Sequence, residues 1–349
     1  MDGKTVDLEK YEQIIDLPSK TQGYTVVLLP IVSAYPTMTT RLCKDCREEK
    51  DHRPFREWMR NFEILEVIDN SLKGSQRSTG TMFRRKSSHT NQADDSASRD
   101  AKVSELRVAL GPLSGRSLKL CTDVCLRRYL EARNWNLDKA KKMLEETLKW
   151  RSNYKPEEIR WHEVAHESET GKVFKANFRD RLGRTVLIMR PGKQNTSSPE
   201  GNIRQLVYLM ENAILNLPEG QKQMSWLIDF NGWSLNTSIP IKTARDIIYI
   251  LQNHYPERLA IVVLYSPPRL FEAFWKVVKY FIDSKTFEKI KFVYPNNKDS
   301  VELMKTFFDT ENLPSEFGGK ATLNYDHEEF SKLMAQEDVK TAKFWGLTR

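Results

Sequence analysis

Four short runs rich in β-branched and aromatic residues, 185–189, 224–230, 259–265 and 291–294, are separated by longer runs of helical periodicity. The helical runs cover 203–217, 241–253, 268–281 and 299–308. Parallel strands need long crossovers, and helices supply them. The alternation therefore predicts an α/β domain built on a mainly parallel sheet. Ahead of it, Thr122 and Asp123 precede a helical run to Ala132. Asn136 caps a second run in which Ala140, Met143, Leu144, Thr147 and Trp150 recur at helical spacing. Together these form a small N-terminal helical unit.

The rest of the chain is organised around this core. Residues 71–104 hold seven apolar residues in 34 and seven basic against three acidic ones. A segment so poor in bulky side chains cannot offset its ordering entropy, so it is expected to lack fixed structure. Its Arg84-Arg85-Lys86 run beside Ser87 and Ser88 could touch anionic lipid and be released by phosphorylation, or could simply solvate a linker. In the first 70 residues, Val26 to Leu29 suggests a strand and Phe55 to Ile68 a helix, neither with an evident partner, and Met82 offers an alternative start. The expected organisation is an N-terminal extension over 1–70, a disordered basic linker over 71–104, a helical unit over 105–160, the α/β domain over 161–325 and a tail over 326–349.

Composition removes several function classes. The 349 residues carry a net charge of +8, and no stretch approaches the ~18 uninterrupted apolar residues of a membrane span. Asp2, Asp7, Glu9 and Glu12 stand where a secretory signal would be basic. Four cysteines are too few for a disulfide scaffold, and Cys43-x-x-Cys46 has no second pair at finger spacing, so no metal is expected. No nucleophile elbow, phosphate-binding loop, zinc-protease motif or dinucleotide fingerprint occurs. Ser266, His254 and Asp229 could be written as a triad, but Pro267 and Pro268 follow the serine where an elbow needs glycine. Half of the excess charge lies in the linker without interleaved aromatics, which argues against nucleic acid.

One helix stands out. In the run 268–283, Phe271, Phe274, Trp275, Val278, Phe281 and Ile282 fall on one face, and Leu270 and Val277 widen it. So broad a face belongs to a helix clamped in a core, to the lid of a hydrophobic cavity, or to a helix pressed into a bilayer. The strand 224–230 puts Met224, Trp226, Ile228 and Phe230 on one side, which either helices or a ligand would bury.

The stretch from Cys125 to Arg151 resembles the N-terminal helical unit of the CRAL-TRIO lipid-binding family. Three further segments resemble its main domain in order and spacing: Leu227-Ile228-Asp229-Phe230-Asn231-Gly232, His254-Tyr255-Pro256-Glu257-Arg258, and Glu311-Asn312-Leu313-Pro314-Ser315-Glu316-Phe317-Gly318-Gly319. The resemblance spans roughly 105–325 and is greatest for the phosphatidylinositol-transfer branch. It implies a sheet floor, helical walls and a gate helix, placed at 268–283, around a pocket that holds a phospholipid as cargo without any cofactor. Met224, Trp226 and Ile228 would line that pocket. The family's inositol-phosphate residues fall here on Arg133, Glu257, Arg258, Thr286 and Lys289. Donors on Arg133, Thr286 and Lys289 suit a phosphodiester, and Glu257 can accept from inositol hydroxyls.

The chain departs from the family where the prototype holds phosphatidylcholine. Met224, Trp226, Ala176 and Leu187 stand at those positions and offer no hydrogen bond, so phosphatidylcholine exchange is expected to be lost. The resemblance thus implies a cytoplasmic, non-enzymatic phosphatidylinositol carrier that touches anionic membranes transiently and presents lipid to a phosphoinositide kinase. A carrier of a small sterol-like molecule on the same fold and a lipid esterase using Ser266 are the alternatives.

Overall fold

The computed structural model describes residues 92–347. The expected strand near Val26, the helix near Phe55, the Cys43–Cys46 pair and the Arg84-Arg85-Lys86 run lie outside the described residues.

The described residues begin with four helices: α1 (Gln92–Leu110), α2 (Gly115–Leu120), α3 (Asp123–Ala132) and α4 (Leu137–Tyr154). Both expected caps form. Thr122 Oγ1 accepts from the Cys125 amide at 3.3 Å, and Asn136 Oδ1 accepts from that of Lys139 at 2.9 Å. These helices close a small core of their own in which Leu106, Leu126, Leu130 and Leu144 are fully buried. Here the sequence reading needs correction. Residues 92–104, assigned to the disordered linker, are helical, because Val103 and Leu106 reach that core and anchor an otherwise polar helix.

After α5 (Trp161–Ser168) comes a five-stranded sheet in sequential order: β1 (Val173–Arg179), β2 (Thr185–Met189), β3 (Met224–Asp229), β4 (Leu259–Tyr265) and β5 (Ile290–Val293). β1 runs antiparallel to β2, and all other pairs are parallel. The crossovers are α6 (Pro199–Leu215), α7 (Ile241–His254), and α8 (Arg269–Val278), which runs through a 3₁₀ turn (Lys279–Phe281) to α9 (Ser284–Glu288). The chain ends with α10 (Lys298–Phe307) and α11 (His327–Trp345). The region 326–349, expected only as a tail, is therefore largely a helix. Phe330 and Met334 bury it against Trp161 and Tyr208, and Asp338 accepts from the Tyr208 hydroxyl at 2.9 Å.

Strand alternation separates two apolar layers. One face of the sheet (Ile188, Leu227, Val263, Val293) packs with residues of α5, α10 and α11. The opposite face (Leu187, Trp226, Val262, Leu264) turns toward α7 and α8. α6 supplies both layers, with Val207 and Tyr208 in the first and Leu206 and Met210 in the second. No helix among the described residues is long and apolar enough to cross a membrane.

Candidate functional site

Between the second sheet face and the helices α7 and α8 the chain encloses a cavity of about 600 Å³, a size usual for small-molecule sites. Trp226, Ile228, Val262 and Leu264 form its floor. Ile247, Ile248 and Leu251 of α7 line one wall, and Leu206 and Met210 of α6 another. Phe271, Phe274, Trp275 and Val278 of α8 face it, as does Ile282 beyond the 3₁₀ turn. The roof is held by aromatic contacts. Phe271 lies 4.3 Å from Phe230, and Trp275 meets Phe292 edge-on at 5.2 Å, centroid to centroid. The helix therefore spends its apolar face partly on packing and partly on the cavity.

Two of the residues expected on this wall are elsewhere. Met224 is fully buried in the same apolar layer without reaching the cavity; it opens β3 beside the register shift at Ser225. Phe281 also misses the lining. The α-helix stops at Val278, and the tighter 3₁₀ turn rotates Phe281 out of the stripe that a continuous helix would extend. Of the four apolar residues at the expected choline-site positions, Trp226 alone lines the cavity. Leu187 is buried in the layer with Met224, and Ala176 packs with the opposite layer.

All five expected polar residues border one end of the cavity. Arg133 closes α3 just ahead of Asn134 and Trp135, both at positive φ (51° and 60°). Its Nη1 donates to the Ala132 carbonyl at 3.3 Å. Glu257 and Arg258 sit in the turn between α7 and β4, where Glu257 holds φ at +56°, a costly conformation for a side-chain-bearing residue. Lys289 begins the return to β5. Its Nζ donates to the Leu259 carbonyl at 2.9 Å and lies 3.5 Å from Glu257 Oε2. Thr286 is tied into the cap of α9, its amide and Oγ1 donating to Asp283 at 2.9 and 2.8 Å. Arg258 Nη1 donates to the Lys222 carbonyl at 3.0 Å, and burial, followed by repulsion from Arg128, lowers its guanidinium to about 10. The cavity thus joins an apolar body to an end that offers cations, a hydroxyl and a carboxylate.

A second polar group on the wall went unread in the sequence. Lys172, 2% exposed, donates to Thr196 Oγ1 at 3.2 Å and Asn202 Oδ1 at 3.0 Å and pairs with Glu167. Lys172, Asn202 and Gln205 all line the cavity. Lys172 stands just before β1 whereas Asn202 and Gln205 share α6, so no local pattern could have joined the lysine to them. Burial lowers the Lys172 ammonium, and Glu167 counteracts that shift.

The residues of the paper triad do not meet. His254 precedes β4 and Ser266 follows it, roughly 20 Å apart along the strand. His254 is stacked on Trp150 at 4.3 Å, with Nδ1 3.1 Å from Thr147 Oγ1. Asp229 accepts from the Asn231 amide at 2.9 Å.

A sequentially ordered sheet with a polar-ended apolar cavity between one of its faces and the crossover helices defines an α/β protein with room for a hydrophobic ligand. The model of the CRAL/TRIO domain matches residues 168–319, and that of the CRAL/TRIO N-terminal domain matches 113–146. The chain belongs to the CRAL/TRIO family. It is 32% identical over 209 residues to CRAL-TRIO domain-containing protein C23B6.04c of Schizosaccharomyces pombe, covering 60% of this chain and 20% of that one. It is 31% identical over 234 residues to phosphatidylinositol transfer protein PDR17 of Saccharomyces cerevisiae, covering 63% and 64%. With SEC14 cytosolic factor of Candida glabrata it shares 30% identity over 222 residues, covering 58% and 72%. The chain thus spans a fifth of the first relative's length and under two thirds of the second's. Among solved structures, that of Sfh5 matches with a TM-score of 0.47 and 18% identity, covering 60% of this chain and 83% of that one.

Proposed function

We propose that this chain binds phosphatidylinositol and carries it between membranes through a gated pocket, without covalent catalysis. The observation that supports this most is the convergence of Arg133, Glu257, Arg258, Thr286 and Lys289 on one end of an otherwise apolar cavity. Each CH₂ buried is worth ~0.8 kcal/mol, so two acyl chains leaving a bilayer need an apolar lining that returns nearly all of that cost. The cationic end would hold the phosphodiester, and Glu257 the inositol hydroxyls. The relatives named as phosphatidylinositol transfer proteins support the same assignment. In this reading the helical unit and the α/β domain work together, since Arg133 comes from the first and the remaining polar residues from the second.

Release would require α8 to swing away while lying on the membrane, where its aromatics meet lipid instead of water. Lys276, Lys279 and Lys285 near that roof would favour anionic surfaces, giving a cytoplasmic protein transient, peripheral contact. Presentation of the headgroup to a phosphoinositide kinase would follow from the same opening. The test is vesicle-to-vesicle transfer. Lys289→Ala combined with Thr286→Asp should cut phosphatidylinositol transfer at least about tenfold, the loss of one charge-assisted contact and the gain of one repulsion. Melting temperature should stay nearly constant, because both residues are part-exposed. Equal transfer by wild type and double variant rejects the site.

The floor favours a second reading. Ile228, Val262 and Leu264 give a choline phosphate nothing to bond to and Trp226 offers a single indole N–H, so phosphatidylcholine exchange should be weak and a less polar, sterol-like cargo with one hydroxyl would fit. Mass spectrometry of lipid co-purified with the full chain separates the two. Recovery of a sterol-like molecule alone would put this reading first.

A further inference from the structure

The turn bearing Glu257 has a second side. Across it lies a separate pocket of about 320 Å³ lined by Arg128 and Glu131 of α3, by Gln221, Lys222 and Gln223, and by Glu257 itself. Arg128 is 7% exposed, and a guanidinium carries five N–H donors. Its protein acceptor is the Val124 carbonyl of its own helix, at 3.3 Å. No carboxylate pairs with it among the described residues, although buried arginines ordinarily have such a partner. Arg258, close enough to repel it, bonds the Lys222 carbonyl at 3.0 Å and has Glu211 as its attracting carboxylate, which leaves Arg128 without one. Arg128 and the half-buried Arg258 guanidinium repel each other, and an anion in the pocket would relieve that repulsion.

The remaining lining says which anion. Glu131 and Glu257 face the same space and would oppose a bare phosphate. The side-chain amides of Gln221 and Gln223 donate to the Leu182 and Leu259 carbonyls at 2.8 and 3.3 Å, so their own carbonyl oxygens remain acceptors. Donors and acceptors therefore stand together, as a ligand with both phosphate and hydroxyls requires. We infer that this pocket is a second site, for a phosphorylated polyol, with the phosphate on Arg128 and Lys222 and the hydroxyls on Glu131, Glu257 and the glutamine carbonyls. The site shares only Glu257 with the cavity end and does not depend on what the cavity carries.

Titration calorimetry on the full chain tests this with myo-inositol 1-phosphate, inorganic phosphate and myo-inositol. The phosphorylated polyol should bind at least about tenfold more tightly than either fragment, the margin of one further charge-assisted contact. Lys222→Ala, on the exposed rim, should weaken it several-fold and Arg128→Gln further. Thr286→Asp, at the cavity end, removes any headgroup binding there, and the binding sensitive to Lys222→Ala should persist in it. Should Arg128→Gln fail to fold, Lys222→Ala decides alone. Absence of binding, indifference to Lys222→Ala, equal affinity for inorganic phosphate, or complete loss in Thr286→Asp each overturns the assignment. Phosphatidylcholine vesicles with and without phosphatidylinositol 4-phosphate distinguish the sources. Retention on the phosphoinositide vesicles, weakened by Lys222→Ala, assigns a membrane headgroup, whereas binding confined to the free polyol assigns a soluble one.

Discussion

His254 is a buried aromatic more than a chemical tool, and its surroundings set a pH dependence. Burial at the end of α7, against Trp150 and Thr147 of α4, lowers its imidazole from 6.5 to about 4. Between those values the unfolded chain binds a proton that the folded chain does not. Stability should therefore fall as pH drops from 6.5 toward 4 and be flat, for this group, above 6.5. Melting curves across that range should show the slope, and His254→Gln should flatten it. Gly319 makes a different demand. A Cβ there would lie 1.9 Å from the Leu313 carbonyl oxygen, which belongs to the backbone and cannot step aside. Gly319→Ala should cost about 1–3 kcal/mol in urea unfolding. The family-like segment 311–319 was visible in the sequence, but the reason for its last glycine emerges only when the chain folds back on itself. The five polar residues likewise could be listed from family spacing. Lys172 could not be, because nothing local marks a lysine that three other segments will surround.

α8 shows how far helical periodicity reaches. The spacing of Phe271, Phe274, Trp275 and Val278 places them on the cavity side. It misplaces Phe281, since periodicity assumes one geometry throughout and the last turn tightens. On the outer side, Leu270 is 39% and Phe287 45% exposed, so large apolar groups beside the roof face solvent. If they seat the roof on a bilayer, Leu270→Glu with Phe287→Glu should reduce vesicle association and lipid transfer several-fold while the melting temperature barely moves. A co-sedimentation assay with anionic vesicles would show it. The edge strand β1 escaped the sequence reading because Lys175, Asn177 and Arg179 interrupt its apolar residues, and because an antiparallel edge needs no preceding crossover helix. α1 escaped for a related reason: two buried side chains hold nineteen residues, too thin a signal against a polar background.

At the scale of the whole molecule, α11 returns from the end of the chain to complete the layer behind the sheet. Phe330 is 8% exposed and packs edge-on against Trp161 at 5.5 Å. Phe330→Ala should cost about 3 kcal/mol or more in chemical unfolding, as deletion of a buried aromatic does. Lipid transfer at permissive temperature should persist, since this layer lies on the far side of the sheet from the cavity. The alternation of runs was enough to foresee the sheet and its crossovers, whereas α11 depends on contacts made across more than a hundred residues of sequence. The strand order carries one more consequence. Among the described residues β5, like β1, is an edge strand, so the connection bearing α8 and α9 is hung on the margin of the sheet and no inner ladder runs through it. Cargo preference could therefore drift by rewriting that single marginal connection, with the remaining hydrogen-bonded framework inherited intact.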